Sequence, residues 1–323
     1  MISTRLTEKL GIKHPIISAP MAFAAGGALA SAVTRGGGLG LIGGGYGDAE
    51  WLAEQFDTAG DAPVGVGFIT WSVQRSPELV TETLRRRPAA VMLSFGDPRA
   101  FADEIHAAGA TLICQCQNLD HVRNAVTTGA DVIVAQGSEA GGHGALRGTL
   151  SLVPEVADFL RRESPDTVLA AAGGIADGRG LAAALTLGAD GVLMGTRLWA
   201  STEAQVHPSH HDAMLAADGD GTIRTRACDV VRGLPWSTDF TARIRRNTFT
   251  ERWHGHEDEL AESISTAGPD YGDAWAAGDI DNAGVFFGEA AGIIHEIEQA
   301  VMIIDRIVSQ AEDVLRTSAA RCN

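Results

Sequence analysis

The sequence predicts an α/β fold: a closed (β/α)8 TIM barrel with a small helical second domain inserted before the C-terminal helix. Eight apolar runs of strand length recur along the chain, and the amphipathic segments between them open on Asp or Asn and end on Gly. Continuous apolar strands alternating with capped helices form a parallel sheet covered on its outer face, and eight in succession exceed what most doubly wound sheets hold. Glycine-rich turns follow the last two runs, where such barrels bind phosphate.

The runs are "PIISAPM" from Pro15, "GLGLIGG" from Gly38, "PVGVGFITW" from Pro63, "AAVMLSFG" from Ala89, "TLICQCQ" from Thr111, "DVIVAQG" from Asp131, "TVLAAAGGI" from Thr167 and "DGVLMGTRL" from Asp190. Between them, "DAEWLAEQFDTAG", "DPRAFADEIHAAG", "NLDHVRNAVTTG" and "DGRGLAAALTLG" carry apolar residues at helical spacing. Successive strands start 20 to 26 residues apart except for a step of 36 from Asp131 to Thr167. The excess is the loop "GSEAGGHGALRG", Gly137 to Gly148, whose glycine content argues against both helix and strand. Loops after the C-terminal strand ends build the active sites of these barrels, so an insertion there is a functional signal.

After Leu198 the alternation stops. Residues 218–281 are charged and turn-rich and read as short helices and loops, after which "GEAAGIIHEIEQAVMIIDRIVSQAEDVL" has the pattern of one long amphipathic helix. The expected organisation is a barrel over 1–217, a small mostly helical cap over 218–281, and a final segment, 282–323, whose helix packs back on the barrel.

Forty-one acidic against 25 basic residues give a net charge of −16, which excludes a nucleic-acid groove and an anionic-membrane footprint; an anionic ligand requires a local positive site. No apolar run has the length of a secretory leader or a membrane span, so the expected location is cytoplasmic. Cys114, Cys116, Cys228 and Cys322 have neither zinc nor disulfide spacing and read as reduced thiols, the first two on one face of a strand. Homodimeric assembly is left open.

"GLGLIG", Gly38 to Gly43, matches a dinucleotide fingerprint only formally, because a helix-like segment precedes it and its own apolar residues are the strand. The turns "AAGGI" and "LMGTRL" are better placed to hold a phosphate, with Gly173 and Gly174 allowing close approach and Gly195 and Thr196 supplying donors. Ala19, Pro20 and Met21 of "SAPM", Gly67 of "GFITW" with its flanks, and Gln115 of "QCQN" form the expected mouth around a planar cofactor. Met21 suits a ring edge, and Gln115 and Gln136 suit ring hydrogen bonds or, equally, other polar partners. His143, set among Gly137, Gly141 and Gly142, can take a proton from a carbon acid or, when protonated, bind an anion. Glu139 and Arg147 either orient His143 or close its loop. "HPSHH" (His207, His210, His211) reads as a solvated helix face rather than a metal cluster.

"PIISAPMA", "GGGLGLIGGG", "AQGSEAGGHG", "AAGGIADGRGLAAALTLGADGVLMGT" and the late "GEAAGII" together resemble the nitronate monooxygenase family over nearly the whole chain. The resemblance implies an FMN-binding barrel in which His143 is the catalytic base or substrate-binding group. It also implies that Gln136, Gly141, Gly174, Leu193, Met194, Gly195 and Thr196 contact FMN. Many members have an asparagine where this chain has Gly67, and some have a lysine where it has Gln115.

The activity implied is oxidative denitrification of an alkyl nitronate or nitroalkane with O2, giving a carbonyl compound and nitrite. The same motifs resemble FMN-dependent NAD(P)H reductases of the enoyl-acyl-carrier-protein or quinone type. A flavin-binding module without turnover is the third reading.

Overall fold

The structure is a computed structural model that describes residues 2–320. Strands β1 (Ile16–Ser18), β2 (Leu41–Gly43), β3 (Gly65–Ile69), β4 (Ala90–Ser94), β5 (Thr111–Cys116) and β6 (Val132–Gln136) are followed by a short strand β7 (Gly142–Gly144) outside the barrel, then by β8 (Val168–Ala172) and β9 (Gly191–Met194). Strand β9 pairs in parallel with β1. The last seam closes where the Ser18 N–H donates to the Leu39 carbonyl and the Leu39 N–H to that of Ile16, both at 2.9 Å. Eight parallel strands therefore form a ring.

Period-two alternation sends each strand residue to one of two layers. Ile17, Leu41, Met92, Ile113, Val134, Ala170 and Leu193 fill the barrel, and Leu6 of helix Arg5–Leu10 joins them. Their neighbours, including Ile16, Ile42, Val91, Cys114, Cys116, Ile133, Ala171 and Met194, face the helices. Cys114, Cys116 and Cys228 are buried free thiols, and burial pushes Cys114 and Cys228 up to about 12; Cys322 lies outside the described residues.

The expected punctuation is realised atom by atom. Asp48, Asp97, Asn118 and Asp177 each accept backbone N–H bonds at a helix start. Gly60, Gly109, Gly129 and Gly188 end the units at φ between +66° and +98°, where a side chain would be strained. The C-terminal helix packs on helix Gly178–Thr186 and on helix Gly27–Arg35.

The structure adds to the expected organisation in one place and corrects it in another. Residues 218–281 carry, besides helices, an antiparallel hairpin of β10 (Thr222–Thr225) and β11 (Thr241–Arg245), and β11 takes β7 on its other edge with His143 opposite Ala242. "TIRT" and "TARIR" are short, and arginines occupy positions where an apolar strand pattern would show. The long final helix starts only at Ala300; Glu289–Ile293 is a 3₁₀ turn and the chain from Ile294 is extended. Glu298 bridges Ser201 in strand fashion, while the buried Arg197 donates to the Glu296 carbonyl at 2.9 Å and to the Glu298 carboxylate at 3.0 Å. A helix through these residues would leave that guanidinium unpaired.

Gly40 marks the tightest helix-to-strand approach, since a Cβ there would lie 1.8 Å from the Ala30 carbonyl oxygen. Gly40→Ala should lower the unfolding free energy by about 1–3 kcal/mol through overpacking. A denaturant titration would read this as a lower midpoint at unchanged slope.

Candidate active site

A cavity of about 480 Å³ opens at the C-terminal ends of the barrel strands, with cap residues including Trp236 and Trp275 completing its wall. It is lined by Ala19, Pro20, Met21, Gly67, Gln115, Gln136, Gly141, Gly142, His143, Gly173, Gly174, Leu193, Gly195 and Thr196. Two expected residues are not in the lining. Met194 follows the inward Leu193 and so points into the helix layer. Gly137 sits behind the wall, where a Cβ would meet Thr149 Oγ1 at 2.0 Å.

The turns after β8 and β9 leave room for a ligand. Gly173 and Gly174 have φ of +102° and +72°. The Thr196 hydroxyl accepts the Gly288 N–H at 2.9 Å, which leaves its own proton available to a ligand. A Cβ on Gly142 would meet no atom within 4 Å, and one on Gly195 only Ala19 at 3.5 Å and Met21 Sδ at 3.7 Å, so the missing side chains are open cavity. At Gly67 a Cβ would lie 2.3 Å from the Pro20 ring, so a larger residue here would require Pro20 to move.

The two glutamines have separate fates. Gln136 Oε1 accepts from Gln117 Nε2 at 2.9 Å, and Gln136 Nε2 donates to the His143 carbonyl at 3.0 Å. Its amide is committed to holding the loop. Gln115, one alternation away from the outward Cys114 and Cys116, lines the cavity and is free to meet a ring.

His143 is held from both sides. Its Nε2 lies 2.9 and 3.0 Å from the Asp229 carboxylate oxygens, in a pair whose side chains are 10% and 4% exposed. The imidazole stacks flat on Trp236, centroid to centroid 3.5 Å at an interplanar angle of 4°. A buried carboxylate facing Nε2 favours the N–H on that atom, leaving Nδ1 as the lone-pair nitrogen. Phe95 stands edge-on at 6.2 Å.

Two cap arginines clamp the loop. Arg224 Nε and Arg243 Nε and Nη2 all donate to the Ser138 carbonyl, at 3.1, 3.0 and 2.9 Å. Burial, then repulsion from Arg243, pulls Arg224 down to about 10, still charged at neutral pH. Glu139 does not orient His143: it accepts the Thr149 N–H and hydroxyl at 3.0 and 2.9 Å, capping helix Thr149–Glu163. Arg147 pairs with Glu155 at 2.5 Å.

The "HPSHH" helix is not a solvated face. His210 is buried with its Nε2 unpartnered, and it lines the cavity with His207, while His211 Nε2 bonds the Trp199 carbonyl at 2.9 Å. Among the described residues no cluster of three His, Cys, Asp or Glu could hold a metal, and no helix is long and apolar enough to cross a membrane.

A sequence model of nitronate monooxygenases matches residues 3–73 and 69–310. The chain belongs to the nitronate monooxygenase family. Nitronate monooxygenase npaC of Metarhizium robertsii is 36% identical over 94% of this chain and 93% of its own. An octahydro-indene-carboxyl-CoA dehydrogenase of Mycobacterium tuberculosis is 29% identical over 99% of both chains. Among solved structures, FabK from Thermotoga maritima superposes with a TM-score of 0.88 at 30% identity, covering 99% of this chain and 100% of its own. As a nitronate monooxygenase family member the protein is an oxidoreductase of a flavin-dependent group. The open spaces at Gly142 and Gly195 and the unpartnered Gln115 fit a flavin in this cavity.

Asp229 and Trp236 were not found from sequence. The one signal was an acidic residue inside the otherwise uncharged helix "ACDVV", Ala227–Val231, where a buried carboxylate needs a partner. Glu139→Ala should lower stability by roughly 0.5–2 kcal/mol, the cost of a lost helix cap. It should leave nitronate turnover largely intact, because the His143 and Asp229 pair does not involve it. Activity lost at unchanged unfolding midpoint would instead make Glu139 a positioning residue for His143.

Proposed function

We propose that the protein oxidises alkyl nitronates to carbonyl compounds and nitrite with O2, on FMN bound in the cavity. The observation that carries this reading is His143, held at the cavity wall by Asp229 and Trp236 with Nδ1 uncommitted. FMN bound there supplies the electron-accepting chemistry. Gly173, Gly174, Gly195 and Thr196 would hold its phosphate, Gln115 would meet the ring, and Met21 would pack on the ring edge.

His143 has two tasks in this reading. With Nδ1 unprotonated it removes the α-proton of a neutral nitroalkane, and Asp229 stabilises the imidazolium that results. That imidazolium then holds the nitronate oxygens by a charge-assisted bond. Trp236 on one ring face and Phe95 at its edge keep water from the base. The likeness to FabK fits a second reading, FMN-dependent reduction with NAD(P)H.

Anaerobic mixing of the purified flavoprotein with ethylnitronate and, in parallel, with NADH and NADPH separates the two. Rapid bleaching by nitronate alone, with nitrite released on admission of O2, is expected; bleaching by NAD(P)H alone would establish the reductase instead. His143→Asn should abolish turnover of neutral nitroalkane with flavin still bound. Asp229→Asn should lower it by about 10²-fold or more, within the usual range for acid–base groups, and affect preformed nitronate less. Full activity in His143→Asn would remove the base assignment.

A further inference from the structure

In a chain of net charge −16, no carboxylate among the described residues lines the cavity. Its ionisable lining groups are Tyr46, His143, His207, His210 and Arg232. Burial lowers the His210 pKa and so favours its neutral form. Arg232 is then the one fixed positive charge in the wall.

Arg232 follows the helix that carries Asp229, but that carboxylate is taken by His143 at 2.9 Å. The other hairpin arginines are also committed: Arg224 and Arg243 to the Ser138 carbonyl, and Arg245 to Asp281 at 3.2 Å. Arg232 has no ion pair among the described residues. Its guanidinium carbon lies 5.3 Å from the Tyr46 ring centroid and 6.0 Å from that of Trp275. Part of the guanidinium fork also interacts with the Tyr46 hydroxyl, and its remaining N–H donors match two coplanar oxygens. The position connects to the base: Trp236, stacked on His143, donates its indole N–H to the Tyr46 hydroxyl at 3.3 Å.

We propose that Arg232 is a specificity-determining residue of this cavity. Its guanidinium takes a planar two-oxygen anion on the ligand, a nitronate or a carboxylate, and the cavity thereby selects the ionised ligand over its neutral counterpart. A paired arginine would be neutralised and would not discriminate; an unpaired one, shielded by aromatic walls, does. For the nitronate case this rests on the function proposed above. For the carboxylate case it stands alone.

The test compares the purified flavoprotein with Arg232→Gln and Arg232→Lys. Benzoate and benzyl alcohol, matched in ring and opposed in charge, are titrated against tryptophan fluorescence, since Trp236 and Trp275 line the cavity. The benzoate Kd should rise about tenfold or more in the glutamine variant and less in the lysine variant, which keeps the charge without the fork; benzyl alcohol should bind all three alike. A parallel rise in KM for propyl-2-nitronate at unchanged kcat identifies the nitronate as the anion read. An unchanged KM with weakened benzoate assigns Arg232 to a separate carboxylate on the substrate. The proposal is overturned if benzoate fails to bind the unaltered protein, if its Kd is the same in the glutamine variant, or if both probes weaken equally. Because the binding arm needs no turnover, its outcome is independent of whether the protein oxidises nitronates.

Discussion

The edge pairing of β7 with β11 is the contact on which the site depends. It joins a three-residue strand in a barrel loop to a strand more than ninety positions later in the chain. Alone, Gly142–Gly144 has neither the length nor the side chains to order itself. The pairing places His143 opposite Ala242, and three guanidinium N–H groups from the same hairpin converge on the Ser138 carbonyl. The loop is glycine-rich because other backbone and side chains pass close to it: a Cβ on Gly141 would fall 2.6 Å from the Gly288 nitrogen, and one on Gly144 2.5 Å from Arg224 Nη2.

From that contact the division of labour in the cavity follows. The barrel contributes the floor, the glycine-rich turns after β8 and β9 and the backbone position of His143, which Gln136 holds through its carbonyl. Gln136 is itself held by Gln117, whose Oε1 lies 3.0 Å from His121 Nδ1. The cap contributes what gives the imidazole its chemistry: Asp229 on Nε2, Trp236 against its face, and Arg232 farther along the same wall. The histidine and its carboxylate thus come from two parts of the chain, and any motion of the cap relative to the loop would separate them.

The charge distribution reconciles an acidic protein with an anionic ligand. Surface acids are paired with surface arginines at many points, as in Arg161 with Asp158 and Arg123 with Asp120, which contributes little to stability. Among the described residues no acid lines the cavity, so an incoming anion meets an arginine and histidines. Glu139 carries a carboxylate in the key loop without breaking this rule, because it is turned away to cap helix Thr149–Glu163.

Local and periodic signals were legible in the sequence because their causes are local. Continuous apolar runs, Asp and Asn at the helix starts and Gly at their ends specify eight βα units, and counting them places the 137–148 loop at the mouth and His143 within it. The inward or outward sense of single residues followed only once register was known, which is why Met194 was expected beside Leu193 in the wall and lies behind it. Asp229, Trp236 and Arg232 left no comparable trace. Their meaning comes from partners 86, 93 and 186 positions away, His143 for the first two and Tyr46 for the third, and a one-dimensional pattern has no term for such contacts. The sequence by itself determined the barrel, the glycine-rich turns after its last two strands and the place of the histidine at its mouth; the tertiary structure alone decided what that histidine is bonded to and what charge the cavity presents, because both arise from bringing a cap hairpin against a barrel loop.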